Sequence, residues 1–373
     1  MRIGVPTEIK NNEFRVAITP SGAHDLVARG HTVIVQAGAG VGSSIPDAAY
    51  IAAGAEIAAD AADVWTTCEL VLKVKEPVAS EYGYFRPDLT LFAYLHLAAE
   101  AELTAALTAA GVTAIAYETV QLPTGALPLL APMSEVAGRL APIVGAHTML
   151  KPSGGPGLLV PGVPGTHPAR VTVLGGGVAG TNAVSVAVGL GAEVTVLDTN
   201  IFRLRELDAH YAGRVKTIAS NAFEIENALL SADLVVGSVL VAGAKAPKLV
   251  SNELVARMKP GSVLVDISVD QGGCFEDSHP TTHAQPTFPV HGSLFYCVAN
   301  MPGAVPHTST YALTNATLPY VRALAGAGWR DALAGDPALA SGLNTYGGAV
   351  TSAPVATAHG LEHRTVESVL AAA

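Results

Sequence analysis

Val171 to Leu174 is a short apolar run that leads straight into Gly175-Gly176-Gly177-Val178-Ala179-Gly180. This is a G-x-G-x-x-G pattern set after a predicted strand and ahead of a predicted helix over 178–189, and few folds accept it. Gly175 permits the tight turn, Gly177 lets the backbone approach a pyrophosphate, and Gly180 lets helix and strand pack closely. Phosphates then meet a helix N-terminus, whose unpaired N–H groups and dipole favour anions. The next predicted strand, 193–197, runs into Asp198, 18 residues beyond Gly180. A carboxylate there accepts from both ribose hydroxyls and repels a 2′-phosphate, so the pattern reads as a site for NAD in preference to NADP. Arg203 and Arg205 nearby are the opposing reading, as phosphate binders. A strand-to-helix turn that holds no ligand is the bland one.

Short apolar bursts alternate with longer amphipathic stretches along the chain, which predicts parallel strands joined by helices. Ahead of the glycine turn the predicted strands are 2–5, 32–36, 70–74, 89–95 and 112–116, with helices at 21–29 and 99–110. Pro123, Gly125, Pro128 and Pro132 then punctuate the chain, as at a domain crossing. Residues 134–150 read as a long linker helix, and 151–165 (KPSGGPGLLVPGVPG) as a loop or arm too rich in Gly and Pro for regular structure. A second run has strands at 170–174, 193–197, 215–218, 234–237, 263–267 and 294–298, with helices at 178–189, 201–210, 222–231 and 252–258. From His307 the pattern is helical to about Ala325, and this tail is expected to return to the first domain. The expected fold class is α/β, with two Rossmann-like doubly wound domains. The NAD-binding one, 131–306 with its linker helix, is inserted into a discontinuous substrate domain, 1–130 and 307–373. The length of 373 residues has room for both.

Composition removes several function classes. Lys plus Arg is 21 against 31 for Asp plus Glu, and a net charge of −10 offers no basic face to nucleic acid. Charged residues are 14% and hydrophobic ones 50%, which implies a large core and excludes disorder. The mean hydropathy of +0.39 would suit a membrane protein. Yet one of the longest apolar stretches, 234–244, lies between Asp233 and Lys245 and falls short of the roughly 20 residues that span a bilayer. The N-terminus MRIGVPTEIKNNEFR lacks the apolar run of a signal peptide. Cys68, Cys274 and Cys297 are scattered, odd in number and form no CxxC, as reduced packed thiols would. A cytoplasmic location is expected.

In doubly wound sheets, ligands bind beyond the carboxyl ends of the strands. That rule selects Lys75, which closes the predicted strand 70–74, and His96, which closes 89–95. It also selects Asp270, after 263–267 in DISVDQGG, and Arg15, in the loop after the first strand. Three come from one domain and one from the other, and they are expected to meet in a cleft between the two. Each has a plainer reading. Lys73 and Lys75 share one strand face, so Lys75 reads equally as a solvated edge residue. His96 reads as a packing residue, Asp270 before two glycines as a turn former, and Arg15 beside Glu13 as half of a surface ion pair. What favours the functional readings is that one rule picks all four together with a dinucleotide site. His279-Pro-Thr-Thr-His283 has His–x3–His spacing, but Pro280 breaks the helix a metal pair would use.

MRIGVPTEIKNNEFRVAITP, VLKVKEP, LFAYLHLA, APMSEVAGRLA, VLGGGVAG and DISVDQGGCFE followed by HPTTH occur in this order over nearly the whole chain. Together they resemble the L-alanine dehydrogenase family. Lysine-forming dehydrogenases and the NAD-binding unit of proton-translocating transhydrogenase share parts of the pattern, the latter disfavoured by a chain that ends without membrane spans. The resemblance implies oxidative deamination: L-alanine, NAD+ and water give pyruvate, ammonium and NADH, reversibly, by hydride transfer and then imine hydrolysis. It makes Arg15 and Lys75 substrate-binding residues, Arg15 pairing with the carboxylate and Lys75 holding carboxylate or carbonyl oxygen. It makes His96 the general acid/base and Asp270 the second catalytic residue, near the nicotinamide ribose and the attacking water. The implied cofactor contacts are Ser134, Val178, Ala179, Asp198, Arg203, Ser220, Val239, Leu240, Ile267, Ser268, Val269, Asp270, Val298, Ala299, Asn300 and Met301, besides the three glycines. Relatives usually carry Arg where His279 stands, which implies a weaker cofactor contact there. Some relatives bind magnesium through a Glu and a His in the late helix, and residues 320–330 hold neither, so no metal is expected. The family forms homohexamers, and domain closure is expected. The alternatives are an amino-acid dehydrogenase with another side-chain preference, or a non-catalytic NAD(H)-binding subunit of the transhydrogenase kind.

Overall fold

The structure is a computed structural model and describes residues 1–239 and 246–371. Its strands are β1 (Arg2–Val5), β2 (Thr32–Gln36), β3 (Glu56–Ala58), β4 (Leu70–Leu72), β5 (Thr90–Ala93) and β6 (Thr113–Ala116). They continue as β7 (Arg170–Leu174), β8 (Glu193–Asp198), β9 (Val215–Ala219), β10 (Leu234–Gly237), β11 (Val263–Asp266), β12 (Thr287–Val290) and β13 (Ser293–Tyr296), and end with β14 (Leu343–Tyr346) and β15 (Ala349–Val350). The chain divides into two compact units, Met1–Met133 with Val305–Ala373, and Ser134–Ala304.

The first unit holds a sheet in the order β15-β14-β6-β5-β4-β1-β2-β3. β1 to β6 pair in parallel, and β14 and β15 add an antiparallel edge. The second unit holds β12-β13-β11-β10-β7-β8-β9, parallel except for β12. In both, the strand order reverses beside the first strand, which is the doubly wound Rossmann pattern. The switch points lie between β1 and β4 and between β7 and β10.

The central strands read as near-continuous apolar runs because both their faces are covered. In the second unit Val171, Val173, Val194, Val196, Leu234 and Val236 enter one core. Leu174, Leu197, Val235 and Leu264 enter another on the opposite face. Each such side chain contributes roughly 1.5–3 kcal/mol when fully buried. Among the described residues no helix is long and apolar enough to cross a membrane.

Several predicted elements need correction. The linker helix begins at Ala131, not 134, and runs to Thr148, with Pro132 in its first turn, where a missing N–H costs nothing. The Gly/Pro-rich stretch contains one short 3-10 turn, Lys151–Ser153. The late helix does not stop near Ala325 but spans Pro306–Gly335, with a break at Gly328 (φ 78°, ψ 159°) after which it resumes. Arg330 beyond the break lies over the Trp329 and Tyr346 rings, which fixes the resumed segment. β3, β12, β14 and β15 have no counterpart among the predicted strands. They are short strands, all at a sheet edge except β14, which lies between β15 and β6, and Pro289 inside β12 is tolerated only at an edge.

Candidate active site

In the first unit the substrate-site candidates lie past the carboxyl ends of β1, β4 and β5. β4 ends at Leu72 and β5 at Ala93, so Lys75 and His96 each stand three residues beyond the ladder instead of closing it. Side-chain acceptors explain the early ends. Glu8 Oε1 accepts the Val74 N–H at 2.6 Å. The Glu118 carboxylate accepts the Leu95 N–H at 3.2 Å and, through Oε1, the His96 N–H at 2.6 Å. Carboxylates thus take backbone donors that a strand partner would have used.

His96 adopts a left-handed backbone (φ 50°), uncommon for a residue with a side chain. Its ring stacks on Tyr94 at 6.0 Å between centroids, and its Nε2 lies 3.5 Å from Lys75 Nζ. Lys73 does not share the environment of Lys75. It is buried, with Nζ 3.1 Å from Glu8 and 3.0 Å from Glu81, whereas Lys75 is half-buried. Burial alone would lower the Lys73 pKa, and the two carboxylates outweigh it and hold it above the ordinary value. Burial pushes the Glu8 carboxyl up. Glu76 is pushed up by burial too, yet Lys75, His96 and a salt bridge from Lys10 together hold it below its ordinary value.

Arg15 is not in a surface pair. It is 2% exposed, and its Nε and Nη2 donate to the two oxygens of Glu13 at 2.7 and 2.5 Å. The fork expected to receive a substrate carboxylate grips Glu13, because a guanidinium this deeply buried needs a counter-charge. Nη1 points to Met133 Sδ at 3.0 Å.

In the second unit the glycine turn sits at the switch point. Gly175 has φ 94°. A Cβ on Gly180 would stand 1.7 Å from the Gly175 carbonyl oxygen, while one on Gly177 would meet nothing within 4 Å. The helix Val178–Gly189 opens on Gly177 without a side-chain cap. At the end of β8, Asp198 accepts from Gly176 N at 2.6 Å and Asn200 N at 2.7 Å. Arg203, the alternative phosphate binder, pairs with Glu206 at 2.7 Å. An uncapped helix N-terminus, open space over Gly177 and a carboxylate at the second strand end fit a dinucleotide without a 2′-phosphate.

Most of the other cofactor candidates lie just past the carboxyl ends of β9, β10, β11 and β13. Ser220 donates its N–H to the Asp198 carbonyl at 2.9 Å. The Val239 carbonyl accepts from Ser268 Oγ at 2.7 Å, and Ile267 N donates to Gly237 at 2.9 Å. Val269 and Asp270 lie in a 3-10 turn, Val269–Gln271, with Asp270 exposed. Val298 and Met301 are buried, and Ala299 N donates to Thr281 at 3.2 Å. Asn300 has φ 57°, and its N–H lies 3.5 Å from Asp270 Oδ2. Ser134 is half-buried in the helix Ala131–Thr148. Leu240 lies outside the described residues.

Comparison with known proteins decides the family. Residues 4–137 match the model "Alanine dehydrogenase/PNT, N-terminal domain", and 141–353 match "Alanine dehydrogenase/PNT, C-terminal domain". The chain belongs to the alanine dehydrogenase/PNT family. It is 62% identical to an alanine dehydrogenase of Mycobacterium tuberculosis over 371 residues, covering 100% of both chains. A solved L-alanine dehydrogenase is 51% identical with TM-score 0.94, covering 96% of this chain and 99% of its own. A transhydrogenase from Sinorhizobium meliloti is 28% identical with TM-score 0.82, covering 95% and 99%.

This alanine dehydrogenase/PNT chain also has supporting residues that sequence reasoning missed. Ser238 Oγ donates to the Leu174 and Gly175 carbonyls at 2.8 and 2.9 Å and braces the glycine turn. Gly138 packs under the same turn, where a Cβ would stand 2.1 Å from the Ala179 oxygen. Asp266 is buried and accepts from Ser268 N, Cys274 N and Ser278 Oγ at 2.9, 2.9 and 2.5 Å, which folds the Asp270 loop around one carboxylate. Burial pushes its carboxyl up. Ser238 and Gly138 carry no local signal for such roles, since their partners are distant in sequence. His279 packs its ring on Phe288 at 3.8 Å.

Proposed function

We propose that this chain catalyses the reversible, NAD-dependent oxidative deamination of L-alanine: alanine, NAD+ and water give pyruvate, ammonium, NADH and a proton. The observation that carries this reading is the full-length 62% identity to an alanine dehydrogenase. Gly175, Gly177, Val178, Ala179, Gly180 and Asp198 would hold the pyrophosphate and ribose, with Ser134, Ser220, Val239, Leu240, the 267–270 loop and 298–301 completing the contacts. NAD, when bound, supplies the acceptor for the hydride leaving the alanine Cα.

The chain's own residues do the rest. Lys75 holds the carboxylate or carbonyl oxygen of the substrate by charge. Arg15, whose guanidinium Glu13 holds in place, pairs with the substrate carboxylate. His96 takes a proton from the water that adds to the imine carbon and returns one to the departing nitrogen. Asp270 orients that water. Holding the reactants in contact supplies up to about 7–11 kcal/mol of the barrier reduction.

We further infer a cytoplasmic homohexamer. Three free, buried cysteines suit a reducing compartment, with burial raising their thiols and pushing Cys297 up to about 12. Exposed Ile143, Leu150, Leu159 and Val163 offer apolar surface for assembly, which light scattering checks by a hexameric mass.

The test of function is turnover of alanine, serine, glycine and 2-aminobutyrate with NAD+ and with NADP+. Alanine with NAD+ is expected to give the highest kcat/KM. A different preferred amino acid identifies a sister dehydrogenase. NADH binding without turnover of any of them points to the transhydrogenase-like reading, for which the 28% identity to the S. meliloti protein is the supporting observation.

A further inference from the structure

The strained turn at His96 is held from both sides by residues that have no assigned part in the reaction. Before it, Glu118 accepts the N–H groups of Leu95 and His96. After it, the Leu97 carbonyl accepts from His359 Nε2 at 2.6 Å and from Thr104 Oγ1 at 3.1 Å. A carbonyl only accepts, so Nε2 of His359 carries the proton. His359 ends the helix Ala353–His359 in the returning tail, 262 residues from Leu97. A left-handed residue with a side chain costs roughly 1–2 kcal/mol and persists only where its surroundings impose it. Here the surroundings are the Glu118 carboxylate on the two preceding N–H groups, the Ala99 N–H on the His96 carbonyl at 2.9 Å and, one peptide further on, His359, Thr104 and the Glu100 N–H on the Leu97 carbonyl.

We infer that Glu118 and His359 are positioning residues that clamp the turn on either side of His96, at the Leu95 and His96 N–H groups and at the Leu97 carbonyl, and so aim its ring for proton transfer. This rests on the reading of His96 as the general acid/base. The Tyr94 ring alone lets the imidazole slide in its own plane, because a stacked pair at 6.0 Å has no directional bond. The clamp removes that freedom through the backbone. A loss of either jaw lets the turn relax toward ordinary φ, which swings the ring away from Lys75 Nζ.

The experiment compares His359→Leu with His359→Gln, and Glu118→Ala with Glu118→Gln, in the full-length enzyme. Each is measured for kcat and KM with alanine, for NADH Kd and for Tm. His96→Ala is carried as the control. Leu at 359 and Ala at 118 are expected to lower kcat about tenfold to a hundredfold, the scale of a 1 Å misplacement, with NADH Kd unchanged. Gln at 359 keeps a donor and Gln at 118 keeps an acceptor oxygen, so each is expected to recover most of that loss. Wild-type kcat in His359→Leu and Glu118→Ala, with His96→Ala inactive, overturns the clamp alone. Failure of the Gln variants to recover, with kcat, NADH affinity and Tm all falling together, also overturns it by marking the residues as merely structural. An active His96→Ala overturns the acid/base reading and the clamp with it.

Discussion

Glu76 is a buried carboxylate among cations, with Lys75, His96 and Lys10 holding its pKa below the ordinary value of 4.5 against the push of burial. Because the folded value lies below the unfolded one, the carboxylate stabilises the fold above that pH, and the contribution is lost as pH falls through the lower value. Glu76→Gln is therefore expected to lower Tm at pH 7, at about 2–4 °C per kcal/mol lost, and the gap to wild type is expected to close under acid. Thermal melts across pH 3–8 check this, and a gap that widens under acid contradicts it. Asp198 makes a second residue-scale prediction. Its carboxylate is the group that would repel a 2′-phosphate, so Asp198→Gly is expected to shift the ratio of NAD+ to NADP+ kcat/KM toward NADP+ by about tenfold or more, since each 1.4 kcal/mol is tenfold. An unchanged ratio removes Asp198 from that role. At this scale the placement of Lys75, His96, Asp198 and Asp270 at or beyond the carboxyl ends of strands was legible because they follow apolar runs. Glu118 and His359 were not, because their roles come from partners brought near only by folding.

At the scale of elements, the glycine turn separates two jobs that sequence spacing runs together. Gly180 is packed against the Gly175 carbonyl, whereas Gly177 faces open space. Gly180→Ala is expected to destabilise the second unit by about 1–3 kcal/mol, as overpacking does, and to lose NADH binding with it. Gly177→Ala is expected to leave Tm unchanged and weaken NADH by about tenfold, or 1.4 kcal/mol, by blocking close approach of the pyrophosphate. Calorimetry and NADH titration on both variants check the split, and an unaffected NADH Kd in Gly177→Ala contradicts it. Element boundaries were less legible than the turn. The strands read as 70–74 and 89–95 end at Leu72 and Ala93 because Glu8 and Glu118 intercept their last N–H groups. A hydropathy pattern does not carry that competition.

At the scale of the whole molecule, the alternation of apolar bursts and amphipathic stretches was enough for the doubly wound class, since parallel strands buried on both faces leave that trace. The antiparallel strands β12, β14 and β15 leave a weaker one, being short and only partly apolar. The central claim is that proton chemistry at His96 is separable from dinucleotide binding at the glycine turn. The direct measurement is kcat for NADH consumption with pyruvate and ammonium, alongside NADH Kd by calorimetry, in wild type and His96→Ala. The expected result is a fall in kcat of about 10²–10⁴, the span of general acid–base catalysis, with NADH Kd unchanged. An unchanged kcat, or kcat and NADH binding lost together, would contradict it.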